Sequence, residues 1–294
     1  MRNNPKTYRC IWRRNKRMRE DRSVVASVRL SKGSLAQFYA RGCLLVASVM
    51  LPSPDARADN CPTPSEEIAT DRPDVTNSSI VVPMGSFQSE NGINLSSQNG
   101  GRTIDGTNSR WRLGIAPCLE VLVDLPNYFA NVKLPGASGF SDVAPAVKWQ
   151  ISPVPGKVDL SMTVGISLPT GAVDVGRGAQ PYLQFPWSWE LRDGWGLSGM
   201  FTEFFRPIDL TTKGITETTF VIEKKLTDKT SVFTEYVGYY PEGLGPRQLL
   251  NSGVLYHLTP IQQLDFRFAI GLNHNSPSYI VGLGYSVRFD RLFR

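Results

Sequence analysis

The chain has 294 residues, 41% of them hydrophobic, and a formal net charge of +6. Residues 1–58 hold 13 of the 32 Lys/Arg and 3 of the 26 Asp/Glu, which leaves 19 basic against 23 acidic residues beyond them, a net of −4. The positive excess belongs to the leader, so the basic pI is no argument for a nucleic-acid partner.

Residues 1–58 read as an export signal. A basic stretch from Arg9 to Arg41 precedes the apolar run Cys43–Leu51, which Pro52 and Pro54 end, and Ala56-Arg57-Ala58 offers an A-x-A cleavage site before Asp59. The run is too short for a membrane helix, which needs ~20 residues. The long basic stretch leaves Met18 as an alternative start. Cys61 and Cys118 are the cysteines of the exported part; in an oxidising compartment they pair, or they remain two buried thiols, and both readings stand. Residues 59–85 are Pro-rich, polar and without strand alternation. They are expected to form a periplasmic segment, either a loosely held tail or a plug entering a barrel from below.

From residue 86 onward the dominant pattern is period-two alternation, the mark of strands with two unlike faces. The first segment, 86–96, is the weakest. Trp111, Leu113 and Ile115 then alternate with Arg110, Arg112 and Gly114, and Leu119, Val121 and Val123 with Glu120 and Asp124. Val147, Trp149 and Ile151 alternate with Lys148; Val158 to Leu168 and Leu183 to Leu191 follow in the same manner. Segments 195–205, 218–226, 230–240 and 247–258 are strand-like in weaker phase, and 264–272 and 279–289 are the clearest. That makes about twelve, an even number, as bacterial single-chain barrels require.

Connections alternate in length. Short ones fall at Ala116-Pro117-Cys118, Ser152–Gly156, Arg192-Asp193-Gly194, Leu226–Lys229 and Thr259-Pro260; longer ones are expected at 97–109, 126–141, 169–180, 206–216, 241–246 and 273–277. Short periplasmic turns and longer outer loops give this alternation. The polar face carries charges of both signs, and Trp111, Trp149, Trp195, Tyr279 and Phe289 gather towards strand ends as interfacial girdles would. A soluble lipocalin-like barrel would put the apolar face inward. Because an Arg or Lys facing lipid at mid-depth costs roughly 2–4 kcal/mol, the charged face is expected to line a lumen. The expected architecture is therefore all-β: a transmembrane antiparallel barrel of about twelve strands over 86–294, in a bacterial outer membrane.

Several segments resemble one family. They are Thr70-Asp71-Arg72-Pro73-Asp74, Val82–Gln88, Gly139-Phe140-Ser141-Asp142, Ser167-Leu168-Pro169-Thr170-Gly171, Leu226-Thr227-Asp228-Lys229, Phe233-Thr234-Glu235-Tyr236 and Gly282–Phe289. Their order is similar to that of the outer-membrane proteins named for the MetA pathway of phenol degradation. The resemblance covers most of the chain after residue 68. It implies an outer-membrane barrel with a transport role and names no substrate. Two departures stand out: Ala116-Pro117-Cys118 replaces a polar turn, and Asp290–Arg294 follow the last aromatic residue, so the signal for the barrel-assembly machinery is expected at Tyr285-x-Val287-x-Phe289.

The expected function is passive passage of small solutes, with outer-membrane lipid as surroundings and no cofactor; that they include hydrophobic or aromatic ones is implied only by the name of the family the chain resembles. The lumen charges Arg110, Arg112, Lys148, Glu235, Asp265 and Arg267 are the candidate solute contacts, with structural pairing as the competing role. A non-conducting structural or binding barrel is one alternative. A membrane-embedded lipase is another, and it would need an activated serine; Asn273-His274-Asn275-Ser276 is the place to look. No Cys/His group has metal-ligand spacing.

Overall fold

The computed structural model describes residues 61, 65–132, 138–154, 158–173, 175–207 and 213–293. The leader, its cleavage site and Met18 lie outside them. The strands are β1 (Phe87–Gln98), β2 (Gly101–Ala116), β3 (Leu119–Asp124), β4 (Tyr128–Asn131), β5 (Gly139–Phe140), β6 (Ala144–Val154) and β7 (Val158–Ser167). They continue as β8 (Gln180–Glu190), β9 (Trp195–Phe204), β10 (Ile215–Lys225), β11 (Thr230–Pro241), β12 (Arg247–Thr259), β13 (Gln262–Gly271) and β14 (Tyr279–Phe289).

Each strand pairs antiparallel with its neighbour, and β1 pairs with both β2 and β14, from Phe87↔Phe289 to Ser97↔Tyr279 on the β14 side. The sheet is thereby closed and has no open edge. Fourteen segments make twelve staves. Strand β2 pairs with β3 along one part of its length and with β4 along another, while β3 continues onto β6 and β4 onto β5. So β3 with β4, and β5 with β6, are two staves interrupted at Leu125–Asn127 and Ser141–Val143. Pro126 lacks the N–H a ladder needs, which accounts for the first interruption.

The two faces have inverted polarity. Arg112, Glu120, Lys148 and Glu235 point inward at 0% exposure, whereas Trp149, Phe268, Leu283 and Phe289 point outward at 45–55%. Apolar side chains inside include a small cluster of Leu122, Ala146 and Tyr182, with Ala144 and Phe204 against it, and the buried Val221, Phe233, Val237 and Leu249. This is the inside-out arrangement that lipid selects, since strands hydrogen-bonded into a closed wall leave no backbone group unsatisfied in hydrocarbon.

Short turns at Pro117-Cys118, Arg192–Gly194, Leu226–Lys229 and Pro260-Ile261 share one end of the barrel. The opposite end carries the longer connections, with two corrections. Residues 97–109, expected as a loop, are strand: β1 runs to Gln98 and β2 starts at Gly101. Asn99 (φ 50°) and Gly100 (φ 80°) make a two-residue turn with both residues left-handed, the kind that matches the twist of a hairpin. Strand β2 is 16 residues long, against the roughly 9–11 that cross a bilayer. Its upper part, including Arg102, Thr103 and Asp105, projects past the lipid, where nothing enforces apolar alternation. Residues 126–141 likewise contain β4 and β5. Cys61 and Cys118 form a disulfide.

Candidate functional site: the lumen and the segment inside it

Residues 65–86 occupy the lumen. The segment starts at the short-turn end, where the Ile68 N–H donates to the Pro260 carbonyl at 2.7 Å and Arg288 donates to the carbonyls of Ser65, Glu66 and Glu67. It climbs past Gln88 and Gln263 to Glu235, where the N–H groups of Val75 and Thr76 both donate to that carboxylate, at 3.1 and 2.8 Å to Oε1. It then descends, with Val81 on Gln150 and Val82 on Glu120, to the Met84–Gly114 bridge and β1.

A segment outside the sheet needs partners for its backbone groups, and the wall charges supply them by sign. Acids take its N–H groups: Glu90 takes Asp71, Glu235 takes Val75 and Thr76, and Glu120 takes Val82. Cations donate to its carbonyls: Arg112 to Ala69 and Ile80, Lys148 to Ser78, Arg267 to Pro73. Side chains complete the fastening. Asp71 meets Arg110 at 2.9 Å, Lys148 at 3.1 Å and Arg112 at 3.4 Å, and Arg72 meets Asp265 at 3.3 Å. Burial works against the Asp71 carboxylate, but Arg112, Lys148 and Arg110 together hold its pKa well below the usual range.

All six candidate residues thus contact the segment. Arg112, Lys148, Glu235 and Asp265 are buried against it. Arg110 and Arg267 also line open space. Arg110 forks onto Asp124 at 2.6 and 2.9 Å. Arg267 has only neutral acceptors among the described residues, Asn94 at 3.2 Å and Pro73 at 3.4 Å. Glycines make room for Arg72: a Cβ on Gly92 would fall 2.2 Å from its guanidinium, and one on Gly284 would fall 2.6 Å from its Nε.

Above the segment lie two cavities. One of about 570 Å³ is lined by the apolar Phe129, Tyr182 and Phe204 and by the polar Arg110, Gln180 and Gln184, with Tyr182 between the two glutamines on one face of β8. A second, of about 350 Å³, has the tip of the segment, Asp71 to Val75, in its lining together with Arg267. The loop between β7 and β8 bounds the larger one through Val175 and Arg177, whose guanidinium sits 5.1 Å from the Phe204 ring centre. Asp142 holds that loop. Its carboxylate accepts the N–H groups of Thr170, Gly171, Arg177 and Gly178 and the Ser167 hydroxyl. Burial opposes the charge, yet the donors from Gly171, Arg177, Ser167 and Gly178 outweigh it and lower the pKa.

The serine considered for hydrolysis serves a turn instead. The Ser276 hydroxyl lies 2.8 Å from both Asn273 Oδ1 and the Gln248 carbonyl and accepts the Gln248 N–H, while His274 is exposed. Sequence reasoning passed over Glu90, which receives the Asp71 N–H, and the anchoring role of Asp142. Both sit inside segments that it had singled out or traversed; what was hidden is which distant backbone each carboxylate meets.

Comparisons with known proteins bear on family and fold. Residues 70–289 match the family described as "Putative MetA-pathway of phenol degradation". No curated protein sequence is significantly similar to the chain. Among solved structures, the COG4313 outer membrane channel from Pseudomonas putida F1 aligns at TM-score 0.53 and 13% identity, over 72% of this chain and 98% of that one. The NanC porin aligns at 0.48 and 8%, over 68% and 98%. The CymD monoaromatic hydrocarbon channel aligns at 0.43 and 9%, over 72% and 90%. At these identities the likeness concerns the fold. With the family model spanning most of the strands and the lipid-facing belt in place, the chain belongs to the MetA-pathway phenol-degradation family and is an outer-membrane β-barrel.

Proposed function

We propose that the protein is a narrow passive channel for small solutes whose N-terminal segment sets the lumen's width. The observation that carries this reading is the polar lumen: open above, with about 570 and 350 Å³ of space, and threaded below by residues 65–86. Solutes that combine apolar surface with hydrogen-bonding groups fit the larger cavity, whose lining mixes Phe129, Tyr182 and Phe204 with Gln180, Gln184 and Arg110. Arg267 and Arg110 are the wall cations proposed to touch a passing solute; Arg112, Lys148, Glu235 and Asp265 are proposed to fasten the segment. The absence of an energy-coupling element among the described residues fits movement down a gradient.

The test is single-channel recording of the exported chain, from Asp59 onward, in planar bilayers. Discrete, small, stable current steps are expected, with Arg267→Glu shifting selectivity towards cations. A folded, heat-resistant barrel that stays electrically silent would favour the binding-barrel reading, for which the filled lower lumen is the supporting observation.

A further inference from the structure

We infer that the outer face of β9–β13 carries a binding groove for one phospholipid of the periplasm-facing leaflet, with its phosphate at Lys224 and an acyl chain over Thr234 and Ser252. The groove, of about 780 Å³, is lined by Trp195, Ile222, Lys224, Val232, Val254, Phe266 and Phe268, with Thr234 and Ser252 at its floor. The register explains its shape. Ile222, Thr234, Ser252 and Phe268 form one cross-strand row, so two small side chains lie between two large ones. The next row towards the short turns is Lys224, Val232, Val254 and Phe266. One of the Thr234 and Ser252 hydroxyls donates to the other at 3.1 Å, which reduces the penalty for polar groups in hydrocarbon.

Charge selects the occupant. The Lys224 ammonium donates to the Asp193 carbonyl and lies 5.0 Å from the Trp195 ring centre, and no carboxylate among the described residues pairs with it. It stands two residues before the Leu226–Lys229 turn, at the level where tryptophan and lysine meet headgroups. A cation at the mouth of an apolar groove, about two residues, roughly 7 Å, from its deepest part, matches a phosphate joined to an acyl chain. Lipid bound here would brace strands β10 to β12, which hold Glu235 against the segment inside.

Native mass spectrometry of the folded protein, stripped of lipid and titrated with phosphatidylglycerol or uncharged diacylglycerol, tests this. Wild type is expected to retain one phosphatidylglycerol through activation. Thr234→Leu/Ser252→Leu, which fills the groove with side chains suited to lipid, is expected to lose it. Lys224→Gln is expected to bind phosphatidylglycerol about fivefold more weakly, the factor one interfacial lysine provides, and diacylglycerol unchanged. Equal retention by wild type and the filled variant would overturn the proposal, as would a Lys224→Gln effect that is equal for phosphatidylglycerol and diacylglycerol or absent for both. A concentration-dependent dimer abolished by filling would assign the groove to a second copy and overturn it too. Heat-dependent gel mobility checks folding, and if the filled variant fails there, the Lys224→Gln comparison decides alone.

Discussion

Arg112 is fully buried and meets Glu90 at 3.1 Å, Glu120 at 3.0 Å and Asp71 at 3.4 Å, while donating to two carbonyls of the inner segment. It joins three staves and the segment in one network. Removing one partner from such a network leaves the others buried and uncompensated, which costs about 3–5 kcal/mol. Arg112→Ala is therefore expected to lower the temperature at which the barrel loses its heat-resistant gel mobility, and Arg110→Ala, with Asp124 partly exposed, to lower it less. At Glu235, replacing carboxylate by amide removes the charge that two N–H groups share. Hydrogen bonds to a charged group contribute about 1.5–3 kcal/mol, so Glu235→Gln should raise amide exchange at Val75 and Thr76 without changing exchange in β12. Unchanged exchange at those two amides would contradict the fastening role. The residue types and their inward face were legible from alternation alone. Their partners were not, because the Glu235–Val75 contact spans 160 positions of sequence and no local pattern encodes it.

At the scale of elements, Asp142 joins two segments that the sequence shows separately. Gly139–Asp142 and Ser167–Gly171 lie about one hairpin apart, and the carboxylate of the first accepts N–H groups of the second. Gly171 is needed there, since a Cβ would come within 2.7 Å of the Phe140 carbonyl oxygen. The lowered pKa of Asp142 gives the hold a sign. Its stabilisation is fully present above the unfolded aspartate value of about 3.9 and is lost as pH falls through the lower folded value. Current fluctuations from the β7–β8 loop are expected to be quiet at neutral pH and to appear only on strong acidification. Asp142→Asn should show the acid behaviour at pH 7; a quiet variant would mean that the loop is held elsewhere. Where the sequence misled, at 97–109, the alternation fails because the strands rise above the lipid, while the Asn99-Gly100 turn signal was there to be read. The β4 and β5 parts of the two broken staves, inside 126–141, were read as loop for the same reason, while β3 and β6 were read as strands.

At the scale of the molecule, a twelve-stave wall leaves a lumen wider than an eight-stranded barrel's and far narrower than that of a 16–18-stranded porin. The inner segment divides it further. Both ends of that segment are tied at the short-turn end: Cys61 through the disulfide to Cys118, and Ser86 through the chain into β1. A segment held at both ends is expected to stay in place during passage, so solutes would move beside it. The barrel, its strand number and the direction of its faces followed from alternation, loop lengths and the cost of charge in lipid. The occupancy of the lumen did not follow, because residues 59–85 have no period and their polar composition suits a loose tail as well as a seated one.

Cysteine pairing across the lumen tests the seated segment most directly. Thr76 and Thr219 touch through their hydroxyls, one at the tip of the segment and the other on the inner face of β10. In the folded barrel, Thr76→Cys/Thr219→Cys is expected to form a second disulfide under mild oxidation. The mobility shift should be absent in either single variant, and the conductance should match that of the wild type. Efficient folding without the cross-link, or a conductance that drops when it forms, would contradict a segment resting permanently inside the barrel.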